Sequence, residues 1–156
     1  MQMIASNSYA LWKHSHRSFP EQITGASIIG LFSIAFGIFE AWFFPQEFTS
    51  INFLSFTLLH AMVAASFWTL WRCHSLRNLK VELSLFFCFI LFKTLWSLSY
   101  FLLQEPLLSL IALILWLSNG LILFALFRKK EKTSGWFLIF PLICIFYLVL
   151  INMARF

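Results

Sequence analysis

The chain has 156 residues, of which 61% are hydrophobic, 20% aromatic and only 11% charged, with a formal net charge of +5. Soluble domains carry about 25% charged residues, so a water-soluble fold of this length would lack the polar surface to cover its apolar side chains. The basic residues sit in short clusters between apolar runs rather than along one continuous face, which argues against a nucleic-acid-binding role.

Residues 1–21 mix Ser and His with Lys13, Arg17 and Pro20 and contain no apolar signal core, so they read as a cytoplasmic or interfacial segment. Tyr9–Lys13 suits a short amphipathic stretch on the membrane surface. His14 and His16 lack nearby Cys or carboxylate partners, and no metal site is expected there.

Five apolar runs follow, over residues 22–44, 51–71, 82–103, 107–127 and 135–153. Each matches the roughly 20 residues needed to cross a bilayer core. They are apolar around most of the circumference and lack the period-2 alternation of a membrane barrel. Backbone hydrogen bonds must close within a segment in lipid, so the expected fold is all-α, an integral membrane bundle of five transmembrane helices forming one domain. The N-terminal segment and the loops around Arg72–Lys80 and Arg128–Lys132 are basic, whereas the other two loops carry Glu47 and Glu105. That alternation places the N-terminus in the cytoplasm, with a bacterial inner membrane as the expected location.

Helix one carries a stripe of small residues, Ala26, Gly30, Ser33 and Gly37, suited to close approach by another helix of the bundle or by a second copy in a homodimer. Polar groups then recur at mid-membrane depth. Helix two has His60, on a face with Phe56, Ala64 and, more loosely, Trp68. Helix three has Lys93, which costs about +2.5 to +3.5 kcal/mol at a bilayer centre. Ser97, Tyr100 and Gln104 extend a stripe from it, with Trp96 alongside. Helix four has Asn119 one turn from Trp116, and helix five has Cys144 and Tyr147. Intramembrane polar groups normally face the bundle interior. An interior of aromatic rings with a few polar handles suits a flat organic ligand, and the amine of Lys93 favours a carboxylate on it. The plainer readings are pairing of Lys93 with Glu40 or Glu82, and a helix-to-helix hydrogen bond from Asn119.

Cys73, Cys88 and Cys144 form no CxxC pair and read as small buried hydrophobes. HExxH, GxSxG and paired intramembrane carboxylates are missing, so an enzyme would have to work with Lys93, His60 and Tyr147 alone.

The run Leu95-Trp96-Ser97-Leu98-Ser99-Tyr100-Phe101, with Pro106 ten residues after the Trp, resembles the third helix and following loop of the TspO/MBR family, the tryptophan-rich sensory or translocator proteins. Phe67-Trp68-Thr69-Leu70-Trp71 is similar to that family's helix-two ending. Gly135-Trp136, Pro141 and Leu150-Ile151-Asn152 are similar to its last helix. Departures fall at Lys93, where the family has Asn, at His60 for a Tyr, at Phe56 for a Trp and at Leu142 for a Tyr. The first loop, Phe43–Ser50, is also short. The resemblance implies a five-helix bundle that binds porphyrin, haem-type tetrapyrrole or sterol-like ligands, with membrane lipid around it. Combined with the residue reading, it gives Phe56, His60, Trp68, Lys93, Trp96, Trp116, Asn119 and Tyr147 as the ligand-binding set of a sensor or carrier. A non-catalytic assembly subunit and a small enzyme using Lys93 are the alternatives.

Overall fold

Each apolar run folds as a helix, and local signals set where it starts and stops. The computed structural model describes residues 17–43 and 50–154, without the side chains of 40, 41, 43, 50–56, 76 and 77. The elements are α1 (Phe19–Phe43), α2 (Ser50–Cys73), a 3-10 turn (Leu76–Leu79), α3 (Lys80–Ser97) continued by a π-turn (Leu98–Leu102), α4 (Pro106–Lys130) and α5 (Lys132–Met153). The described residues are thus all-α. Four stretches, Phe19–Phe39, Lys80–Leu102, Pro106–Lys130 and Lys132–Met153, are long and apolar enough to cross a membrane.

Helix α1 begins three residues earlier than its apolar run. Glu21 accepts a hydrogen bond from the Ser18 N–H at 3.0 Å, half of a capping box that the sequence Ser18-Phe19-Pro20-Glu21 encodes. Helix α4 starts with Pro106 at its first position, where a missing N–H costs nothing. It runs on through Arg128, Lys129 and Lys130, good helix formers whose charge suits a helix C-terminus. The connection expected between residues 127 and 135 therefore shrinks to Glu131 alone, extended at φ −146° and ψ 111°.

Helix α1 packs on α2, α2 on α5, α5 on α4, and α4 on α3. Side chains complete the circuit between α3 and α1, where Lys93 Nζ lies 5.3 Å from the ring centroid of Phe36. Phe67 and Phe86 meet across the interior from α2 and α3 at 4.8 Å. Trp96, Trp116, Leu123, Phe127, Leu138 and Ile145 are buried between the helices, whereas Leu31, Leu91 and Trp136 point outward. Outward apolar side chains of this kind are what a lipid solvent requires.

Serines fasten α2 to α5. Ser66 Oγ donates to the Ser134 carbonyl at 2.8 Å, and Ser134 Oγ donates back to the Ser66 carbonyl at 2.6 Å. Hydrogen bonds between membrane helices contribute about 0.6 kcal/mol on average and up to about 1.7. Ser66→Ala is expected to lower stability by roughly that range, and Ser66→Val by more, since its extra methyl must fit where two backbones touch. Thermal unfolding in detergent measures both.

Only half of the small-residue stripe of α1, Ser33 and Gly37, lies on the contact it was expected to make. Ala26 is exposed, and a side chain added at Gly30 would meet nothing within 4 Å. The face laid on the bundle instead runs through Gln22, Gly25, Ile29, Ser33 and Gly37. A Cβ at Gly25 would collide with the ring of Trp71 on α2. The Trp71 indole thus requires a glycine where it lies on α1.

Candidate functional site

Three helices bring one cluster together at mid-depth. Phe36 of α1 lies between His60 of α2, at 5.1 Å between ring centroids, and Lys93 of α3, at 5.3 Å from the amine to the ring. The Lys93 distance is that of a cation–π contact. Lys93 is 2% exposed. The amine and the imidazole, carried on different helices, therefore both approach one phenyl ring.

One turn along α3, Trp96 stacks on Trp116 of α4 at 5.9 Å and 23°. Tyr100 and Phe101 surround the Trp96 ring at 5.6 and 5.8 Å. Phe89 meets Trp116 edge-on at 5.5 Å. Offset and edge-to-face contacts of this sort hold the rings firmly in an aromatic cluster with Trp96 and Trp116 buried at its centre.

The π-turn explains how two consecutive aromatics reach the same tryptophan. It inserts one extra residue per turn, seen in the Leu103 N–H bonding to the Leu98 carbonyl at 3.0 Å, and so advances the phase of everything after Leu98. Ser97 remains buried as expected, but Ser99 joins the interior and Gln104 turns out. Gln104 ends the turn at φ 54°, in the left-handed region that a non-glycine residue adopts only when its surroundings enforce it.

Several buried polar atoms in this region have no hydrogen-bond partner: Thr57 Oγ1 on α2, Trp116 Nε1 and Asn119 Oδ1 on α4. Asn119 is 6% exposed, and its side-chain oxygen accepts no hydrogen bond among the described residues; the expected bond was one donated by its amide, which this atom does not test. Buried acceptors and donors left open cost about 1–3 kcal/mol each. They mark places where a ligand or water would add a bond.

The expected residues separate into three groups. His60, Lys93, Trp96, Trp116 and Asn119 line the interior of α2, α3 and α4. Trp68 stands two turns from His60 toward the basic end. There its Nε1 donates to the Gln22 carbonyl at 3.1 Å and Arg72 lies over its ring at 5.2 Å, so it joins α1 to α2. Tyr147 is 61% exposed and faces outward, because the inner face of α5 follows Leu138, Pro141, Ile145, Val149 and Asn152. Tyr147 lies half a turn from Ile145, so the expectation that it faces inward is corrected. The side chain of Phe56, like that of Glu40 and all of residues 1–16, including His14 and His16, lies outside the described residues. The other carboxylate considered for Lys93, Glu82, is paired elsewhere: Lys130 holds it at 2.6 Å at the basic end.

Phe36 and Thr57 were missed by the sequence reading. The signal for Phe36 was its place beside Gly37, and that for Thr57 its place one turn before His60 on the same helix.

The model of the TspO/MBR family matches residues 42–155. No curated protein and no solved structure gives a significant match. The match spans the last four helices in order and takes in His60, Lys93, Trp96, Trp116 and Asn119 together. The fold described above is likewise a helical bundle with outward apolar faces. The chain therefore belongs to the TspO/MBR family and is a membrane protein.

Proposed function

We propose that this protein binds a flat hydrophobic ligand carrying an anionic group, such as a porphyrin or haem-type tetrapyrrole, inside its helix bundle, as a sensor or carrier. The observation that supports this reading is the convergence of Lys93 and His60 on Phe36, with the Trp96–Trp116 stack one turn away. In this reading the Lys93 amine meets a ligand carboxylate and His60 supplies a hydrogen bond or, for haem, an iron ligand. Phe36 and Trp96 offer stacking surface, and the open polar atoms of Thr57, Trp116 and Asn119 take the remaining polar edges. All five helices would cross the membrane, with the basic end, which joins Arg17, the α2–α3 connection and Lys130, in the cytoplasm.

Titration of the detergent-purified protein with protoporphyrin IX, read by quenching of tryptophan fluorescence, tests the proposal. Saturable quenching at a one-to-one ratio is expected. His60→Ala should weaken it about five- to tenfold, the equivalent of one hydrogen bond of about 1–1.5 kcal/mol. Absence of saturable quenching by protoporphyrin IX and haemin would refute the reading.

A further inference from the structure

At the basic end, away from the Lys93 cluster, lies a cleft of about 340 Å³ lined by Arg17, Cys73, His74, Ser75 and Asn78. That volume is in the range of small-ligand sites. Among the described residues its lining side chains are all polar or sulfur-bearing, and none is a carboxylate. Two acids lie four residues in sequence from the cleft wall: Glu82 is buried and neutralised by Lys130, which also donates to the Asn78 carbonyl at 2.6 Å, and Glu21 accepts the Ser18 N–H at 3.0 Å in the helix cap.

Arg17 is held in a defined pose. Its guanidinium lies 4.0 Å from the centroid of the Trp71 ring, and its Nε donates to the Trp71 carbonyl at 3.3 Å. The Nε bond satisfies a carbonyl at the C-terminal end of α2, the part of the helix that would otherwise repel an anion. A guanidinium has five N–H donors in a planar fork, a shape matched to phosphate oxygens. Beside it, His74 offers an imidazole, Ser75 a hydroxyl and Asn78 an amide, all donors to an oxyanion. Trp68 and Trp71 flank this end of α2 as interfacial tryptophans do, which sets the cleft at headgroup level.

We propose that this cleft is a phosphate-binding site, taking either the headgroup of a phospholipid or a soluble phosphate. Arg17 is the principal anchor, and Ser75 and Asn78, which also line the cleft, donate alongside it. The site is independent of the ligand proposed for the bundle interior.

Cys73 lines the cleft and is half-buried, so its alkylation reports occupancy. In a Cys88→Ser/Cys144→Ser background purified in dodecyl maltoside, the rate of Cys73 modification by a water-soluble maleimide is measured in four conditions. These are no addition, inorganic phosphate, phosphatidylglycerol and phosphate-free diacylglycerol. Phosphatidylglycerol is expected to slow modification at least fivefold and diacylglycerol to leave it unchanged. Equal protection by inorganic phosphate identifies the soluble group as sufficient, and protection by the lipid alone identifies a headgroup site; either supports the proposal. Ser75 is exposed, so Ser75→Asp alters the cleft's charge without disturbing packing, and protection should vanish in it as in Arg17→Gln. No protection by either phosphate compound, or protection that survives Ser75→Asp, overturns the proposal.

Discussion

Gly135→Leu is expected to abolish recovery of folded protein, and Gly135→Ala to lower the unfolding temperature measurably. The cause is the single-residue link at Glu131. With α4 ending at Lys130 and α5 beginning at Lys132, the two helices separate from a point and their first facing turns must nearly touch. Gly135 is buried at that crossing. A Cβ there would stand 2.8 Å from Arg128 Cβ, 3.1 Å from its Cα and 3.3 Å from its backbone nitrogen. None of these is the end of a flexible side chain, so relief requires moving one helix. Overpacking of this kind costs about 1–3 kcal/mol for a small addition. A leucine adds three more carbons in the same place. Size-exclusion profiles and thermal unfolding in detergent check both variants. Gly30→Ala is the control, since space around that position is open and its profile should match the parent.

Lys93→Met should weaken tetrapyrrole binding by about ten- to a hundredfold while leaving the unfolding temperature unchanged or raised. A charge-assisted hydrogen bond contributes about 1.5–3 kcal/mol, which converts to that range of affinity. Methionine keeps the length and flexibility of the lysine stem and so fills the same space against Phe36. It also removes an amine whose presence in the membrane interior carries an energetic cost. Opposite movement of affinity and stability separates a ligand-directed residue from a structural one. A parallel fall in both would assign Lys93 to helix packing and favour the assembly-subunit reading.

Depth along each helix was legible in the sequence, and facing was less so. His60, Lys93 and Asn119 were placed at one level because chain length from the apolar boundaries fixes depth at about 1.5 Å per residue. Lys93 was also placed correctly inward, since an amine has the strongest reason to avoid lipid. Tyr147 was assigned by depth alone, and a phenol can face either side. Its phase relative to Ile145 decides, and Ile145 is no more apolar than the outward Ile143 and Phe146 on either side of it. Helix α5 offers no contrast between faces because lipid and protein interior are both apolar.

The same lack of contrast hid the true seam of α1. Gly25 and Ala26 are both small, and only the position of Trp71 on another helix selects between them. The π-turn could not be read either. Leu98–Leu102 has ordinary helix-forming residues, and the extra residue is accommodated because Pro106 and the turn at Gln104 fix where α4 must begin. The helix boundaries at Ser18 and at Lys130, by contrast, had explicit local signals in the capping sequence and the basic tail.

The way α1 is attached bears on traffic into the protein. Its backbone packs along α2, whereas its approach to α3 runs through side chains such as Phe36. Under the proposed function, the α1–α3 side is where a ligand could pass without separating any pair of closely packed helices. The ligand proposed for the interior, if dissolved in the bilayer, would then enter sideways past Phe36, at a rate set by its partitioning into lipid rather than by its solubility in water.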